Sequence, residues 1–471
     1  MVSGGGNLFR INKEDLAEIT SDKLKVLLEN HDTTREDGLY KYYIGEHKIL
    51  DRKFKDESKP NNKIVENWCK YVSNSAVSFF MGKPVVYSSD NEKYMQEIQD
   101  IYDANNEQKV NMEIAQELSW AGWAVEILYT KENEKGVKVP CFASLPLSEN
   151  KVILVFDNTV EENLIMAIRY WDSENLFTRD KYQIVFVHTD SHIYGYKKTD
   201  NSLELISEEK HAFKEVNINY YWNKGRKLES DFDQIMSLND GYNSLVSDDV
   251  NESEFSTDAI LKTWGVEDLN DAQEMKEKRM LNFGKSDKEE KADAEWLIKD
   301  INSEWKENQK NRMMDDIHKL SNVPNMSDKS FAESSGVAIE RRMLPMESVR
   351  STKERYFREG LQRRLRMITN VLNLGNNYDY LDIIMKFQRN LPTDTQLAVQ
   401  DAVNLNGTGL VSKQTLRKTI PFIDDPAYEK VLIDQENEEY IDLNIEDEDD
   451  GTESNNEENP EANQANGETD K

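Results

Sequence analysis

Apolar residues recur every three or four positions at Ile64, Trp68, Val72, Ala76 and Phe79, the spacing of one helix face. Gly82 and Pro84 end that helix. Residues 92–121 keep the helical period. The pattern then changes. Trp123–Thr130, Val152–Asp157, Leu164–Trp171, Tyr182–Thr189 and Val216–Trp222 are rich in β-branched and aromatic residues and are separated by polar turns, which predicts an antiparallel sheet or meander. After Trp222 the helical period returns at Phe232, Ile235, Asn239, Tyr242, Val246 and Val250, and again at Ile301, Trp305, Met313, Ile317 and Leu320. Between these helices, residues 263–300 are highly charged and contain Gly265 and Gly284, which reads as a helical hairpin with a small domain at its tip. Val349, Tyr356, Leu361, Leu365, Ile368 and Leu372 mark a further long helix. Gly360 inside it should cost about 1 kcal/mol relative to Ala, and either a bend or a packing contact accounts for it. Short helices are expected over 393–432, punctuated by Pro421 and Pro426, and residues 1–24 read as a loose arm. The chain shows no internal repeat. The fold class is therefore α+β, predominantly helical.

With 471 residues the chain is long enough for two to four domains. No run approaches the ~18 apolar residues of a membrane span, and no secretory signal is visible at the start. Two cysteines, Cys69 and Cys141, make neither a disulfide framework nor a Cys-rich zinc site and fit a reducing cytoplasm. The formal net charge is -31, of which residues 433–471 carry -15. That tail is almost devoid of apolar residues and is expected to be disordered, as a solubilising segment or one that discourages early contact with nucleic acid.

Against this acidity, Arg341 to Arg366 holds nine Lys or Arg and three Glu. The plain reading of Arg355, Arg358, Arg363, Arg364 and Arg366 is pairing with acidic neighbours in the same or an adjacent chain. Arg341 and Arg342 follow a Ser-Gly loop and are equally candidates for contact with a polyanion. Neither set carries a zinc-finger or helix-turn-helix signature, so base reading is not expected. Signs of catalysis are missing. His188 and His192 are four apart but border a turn between strand patterns, and a structural role is expected for them. Gly284-Lys285-Ser286 imitates the end of a phosphate-binding loop, yet the required upstream glycine is Arg279. No Gly-x-Ser-x-Gly elbow occurs.

Several short segments, in order along residues 40–430, carry a family resemblance. They are Tyr42-Tyr43 with Gly45, Lys59-Pro60-Asn61-Asn62-Lys63-Ile64 and Met81-Gly82-Lys83-Pro84-Val85. Val323-Pro324, Phe331, Ser335-Gly336-Val337-Ala338 and Lys353-Glu354-Arg355-Tyr356-Phe357 follow, then Leu391-Pro392-Thr393-Asp394 and Leu410-Val411-Ser412-Lys413-Gln414-Thr415. In these the chain resembles the portal proteins of tailed bacteriophages, in the branch found in long-tailed phages of Gram-positive hosts. It departs from the pattern at Ala332-Glu333, where many relatives carry Gly-Asn.

The resemblance implies a structural protein without cofactor or metal, in a portal-like subunit. Residues 25–230 would be a wing of helices and antiparallel sheet, 231–262 and 301–323 the two stem helices, and 263–300 the clip. Residues 324–345 would be a tunnel loop, 346–392 a long wing helix and its return, 393–432 a helical crown and 433–471 the disordered tail. It implies a dodecameric homo-oligomeric ring in the virion, at the portal vertex of the capsid, assembled in the host cytoplasm and without a membrane partner. Double-stranded DNA, bound without sequence preference, would be packaged and ejected through it. Further implied partners are scaffolding and major capsid proteins, the large terminase subunit and a head-completion adaptor. Candidate channel residues are Lys329, Ser334, Ser335, Gly336, Arg341 and Arg342, and candidate clip residues are Lys276, Lys278, Arg279 and Lys285. Trp264 and Trp305, near the ends of the stem-like helices, are candidates for packing against a neighbouring subunit or within the chain. A metal-dependent DNA-processing enzyme, holding Mg²⁺ on acidic residues, and a monomeric acidic adaptor are the alternatives.

Overall fold

The computed structural model describes residues 6–16, 19–55, 59–132, 136–199, 202–225, 228–256, 260–264, 280–283, 293–297, 303–328, 336–389, 395–420, 422–423, 426 and 428–436. In contact terms the chain divides into two units, 1–391 and 392–471.

The first unit opens with strand β1 (Leu8–Ile11) and helices α1 (Ser21–Glu29) and α2 (Thr34–Ile44). Helix α3 (Trp68–Met81) follows, capped by the Asn67 side chain, which accepts from the Lys70 amide. Strand β2 (Val86–Ser88) leads into α4 (Glu92–Ala104), capped in the same way by Asn91, and α5 (Glu107–Ala121). Strands β3 (Trp123–Glu132), β4 (Lys138–Leu145), β5 (Lys151–Asp157), β6 (Leu164–Glu174), β7 (Lys181–His188), β8 (His192–Lys198), β9 (Leu203–Lys210) and β10 (Ile218–Trp222) come next.

These strands form two sheets, where the sequence pattern reads as one. A six-stranded sheet runs β1-β5-β6-β7-β8-β9 and a three-stranded sheet runs β10-β3-β4. Strand β10 leaves its sequence neighbours to pair antiparallel with β3, Ile218 opposite Ile127. Strands β4, β8 and β9 are absent from the sequence expectation because they are half polar and lack a dense β-branched run. The expected loose arm is also partly built in. Leu8–Ile11 pairs parallel with Leu154–Asp157 of β5, and Phe9 is buried against α1 and the sheet. Strand β5 is buried along nearly its whole length, so its free edge needs a partner, and β1 supplies it.

Helix α6 (Met236–Ser256) and helix α7 (Ser303–Ser321) follow, the hairpin expected from the sequence. They run antiparallel. The space beside Gly241 is filled by Met313, and Asp249 pairs with both Lys306 and Lys310 at 3.0 Å. Between them, β11 (Ile260–Trp264), β12 (Met280–Phe283) and β13 (Asp293–Leu297) form a three-stranded sheet in the order β12-β11-β13.

The buried face of α6 is polar. Asn239, Asn243 and Ser247 are completely buried and recur every fourth residue. With Asn251 they face the extended segment 60–67 and the start of α3 and accept amides in sequence. Asn62 N donates to Asn251 Oδ1 (2.7 Å), Ile64 N to Ser247 Oγ (3.0 Å), Glu66 N to Asn243 Oδ1 (2.8 Å) and Cys69 N to Asn239 Oδ1 (3.3 Å). Two residues of extended chain rise ~6.6 Å and four residues of helix ~6.0 Å, so the two periods match and a ladder forms.

Helix α8 (Gly336–Leu372) is 37 residues long and runs through Pro345. Residues 336–345 were expected as the second half of a loop and form the first turns of this helix. Ile339, Met343 and Met346 explain it, because they lie three and four apart and pack into the core shared by α2, α3 and β3. Strand β14 (Ile384–Lys386) pairs with β2. Among the described residues no helix is long and apolar enough to cross a membrane. The second unit contains α9 (Thr395–Thr408) and α10 (Lys413–Thr419), the latter capped by Ser412.

Candidate functional site

The basic helix α8 uses most of its cations inside the protein. Lys353 is buried and donates to the buried carboxylate of Asp231. Asp231 lies in the lead-in to α6 and also accepts from Ser119 Oγ of α5 (2.6 Å) and Asn223 Nδ2 (3.0 Å), with Lys224 Nζ at 3.3 Å. Ser73 of α3 extends the chain by donating to Ser119 Oγ at 2.7 Å. Burial pushes the Asp231 carboxyl up, and the ammonium groups of Lys353 and Lys224 outweigh it, holding it at about 2. One carboxylate thus joins α3, α5, the start of α6 and α8.

Arg364 is completely buried. Its guanidinium sits 2.8 Å from Glu126 of β3 and 3.7 Å from Glu107 of α5, donates to Asn111 Oδ1 at 2.8 Å and lies 4.5 Å over the Phe142 ring. Burial opposes the charge, and the Glu126 carboxylate with the surrounding tyrosines holds the group protonated. For Glu107 burial is the larger influence, and its carboxyl is raised. Arg366 grips Glu215, donating to Oε2 at 2.8 Å, and Arg363 approaches the same carboxylate at 3.5 Å. Arg350 bridges Glu347 and Glu354 at 2.9 Å each, and Arg358 bridges Glu354 and the Met385 carbonyl. The pairing expected of Arg358, Arg363, Arg364 and Arg366 is thus with carboxylates of the same chain. Arg355 is exposed.

Arg341 and Arg342 lie on the exposed side of the first turns of α8, and Gly336 is its exposed first residue with open space around it. Lys329, Ser334 and Ser335 lie outside the described residues, as do Lys276, Lys278, Arg279 and Lys285. Of the candidates, the described residues include Gly336, Arg341 and Arg342, which share the first turns of α8. Trp305 is half exposed on α7, and Trp264 stands in β11.

Of the two histidines four apart, His188 serves packing. His188 is buried and shares a 2.8 Å hydrogen bond with Asn217, and burial pushes its pKa down to about 3. Among the described residues no three His, Cys, Asp or Glu side chains gather as a metal site.

Sequence reasoning gave no hint of one further feature, a polar cleft of about 1240 Å³. Its walls come from the β5–β6 and β7–β8 turns, from Tyr220 and Trp222 on β10, and from Tyr356, Gln362, Arg363 and Arg366 on α8. Arg363 stacks 4.6 Å over the Tyr220 ring. No local signal marks these residues, because they converge from segments as far apart in sequence as Thr20 and Tyr380.

Residues 24–443 match the family described as "Phage portal protein, SPP1 Gp6-like". The chain is 22% identical over 463 residues to the portal protein of Bacillus phage SPP1, covering 91% of this chain and 89% of that protein. It is 21% identical over 431 residues to the portal protein of Clostridium phage phiCD119, covering 86% and 93%. The match spans strands β2 to β14, the helical hairpin and the whole of α8, and the chain belongs to the SPP1 Gp6-like family of phage portal proteins.

Proposed function

We propose that this protein forms a ring at one capsid vertex of a tailed phage, through which double-stranded DNA is packaged and later ejected. The observation that carries the reading is the family match over residues 24–443. In this reading α6 and α7 are the stem, and the sheet β11–β13 belongs to the clip. Residues 324–345 are the channel-facing segment, its second half helical, and residues 393–432 are the crown. The protein is a structural component of the virion, not an enzyme. The terminase docks at the clip with its own ATPase, and head-completion adaptors replace it. Scaffolding and capsid proteins surround the ring during assembly.

The charge pattern supports the mechanism. DNA has to slide, so many strong phosphate contacts would act as a brake. The arginines of α8 are mostly neutralised by carboxylates within the fold. An acidic wall, in keeping with a formal charge of -31 of which -15 lies in residues 433–471, then repels the duplex and keeps it centred in an aqueous bore.

The test is the mass of the purified full chain in solution, together with electron microscopy. Closed rings with a central hole are expected, with a mass near twelve subunits. A strict monomer at high concentration, with and without scaffolding protein, overturns the reading.

A further inference from the structure

We propose that the tip of the β6–β7 hairpin of one copy seats in the cleft of the next, with Leu176 and Phe177 as the inserted side chains. The inference rests on the ring reading above and names the surfaces that would make the ring.

The hairpin tip is built, not loose. Asn175 N donates to the Asp180 carbonyl (3.0 Å), and Arg179 N to the Asn175 carbonyl (2.8 Å). The Asn175 side chain accepts from the Phe177 and Thr178 amides at 2.9 and 3.2 Å, and Thr178 Oγ1 donates to Asp180 at 2.6 Å. This fixed turn holds Leu176 at 76% and Phe177 at 95% exposure. Isolated exposed hydrophobics are ordinary. Here two adjacent large ones stand at the end of a projecting ribbon. Strand β6 stops pairing with β5 at Tyr170, β7 starts pairing with β8 at Gln183, and residues 173–182 extend beyond both neighbours. A preorganised apolar anchor of this kind loses little freedom on docking, which is how binding energy concentrates in few residues.

Within its polar rims the cleft offers such an anchor the rings of Tyr220, Trp222 and Tyr356, residue types enriched in binding hot spots. From Glu174 to Lys181 the ribbon carries no net charge, so it enters a cleft rimmed by Glu161 and Asp190 without repulsion.

The occupant is a second copy because of where the two surfaces lie. The cleft borders the β5–β6 and β7–β8 turns, at one end of the six-stranded sheet. The β6–β7 tip is at the other, about 36 Å away along an eleven-residue strand. Used once towards each neighbour, a convex tip and a concave cleft make a head-to-tail contact, which repeats and closes when the rotation per subunit fits a ring; a reciprocal exchange of tips would close a two-fold pair, and the ring reading selects the former.

The experiment uses the full chain with Cys141→Ser as background, leaving the buried Cys69 in place. Phe177→Cys and Gln362→Cys are combined, treated with a short bismaleimide and run on a denaturing gel, with each single variant as control. Phe177→Asp is imaged in parallel. Expected are covalent dimers and higher multimers for the pair and only monomer for the singles, with at least a tenfold lower ring yield for Phe177→Asp at equal concentration. Wild-type rings with a full ring yield for Phe177→Asp overturn the seat and leave the ring reading standing. Lost rings in Phe177→Asp without the 177–362 cross-link put the tip on another surface, which also overturns it. Wild-type protein that forms no ring removes the ring reading and the seat together.

Discussion

Gly360 shows how a single residue is decided at a distance. A β-carbon there would lie 2.3 Å from the Tyr221 ring, and the Gly360 carbonyl accepts from Asn219 Nδ2 at 2.9 Å. Alanine would favour the helix by about 1 kcal/mol. Overpacking a filled core costs about 1–3 kcal/mol, and Tyr221, fully buried with its hydroxyl on Glu126, has no room to move. Gly360→Ala should therefore lower stability by up to about 2 kcal/mol net, read as a lower urea midpoint at unchanged slope. An unchanged or raised midpoint would show that the helix term wins. From the sequence alone a bend and a packing contact were equal readings of this glycine. The deciding ring comes from β10, and its approach depends on that strand crossing over to β3. The arginines of α8 were legible as a class, since exposed helical charge tends to pair. Their partners Glu215 and Glu126 were not, because nothing local connects them to residues 363–366.

At the scale of elements, helical periods and caps carried the most information. Helices α3, α6 and α7 stand close to where their apolar spacing puts them. The buried face of α6 did not follow that spacing. Val246 and Val250 are only half buried, while Asn239, Asn243 and Ser247 are wholly buried, because this face binds a backbone instead of a core. Hydrophobicity patterns are blind to such a face. Asn243 accepts from Glu66 N and donates to His47 Nδ1 at 2.8 Å each. Leucine fits the volume and leaves both groups without a partner, at about 1–3 kcal/mol apiece. Asn243→Leu should thus destabilise by about 2–4 kcal/mol. It should also speed hydrogen exchange at the amides of Asn62, Ile64 and Glu66 more than at β5. Uniform acceleration across the chain would argue against a local ladder.

For the whole molecule, the order of helices and strands was readable and their partition into two sheets was not, since sheet membership is set by pairings between distant segments. The first turns of α8 were hidden for a related reason. Gly336 and Pro345 are loop punctuation in sequence, and the packing of Met343 and Met346 overrides them. Arg341 and Arg342 are exposed there. If this segment faces the bore, Arg341→Glu with Arg342→Glu should reduce packaged DNA severalfold while rings still assemble; normal filling would remove the segment from the channel. The ladder on α6 has a last consequence at this scale. It works as a ruler with a four-residue division. One residue inserted between Asn239 and Asn251 would put every rung beyond it out of phase with segment 60–67, whereas residues added after Asn251 disturb none. Across relatives, the hairpin can therefore grow or shrink at its far end, toward β11, while its root keeps one fixed length.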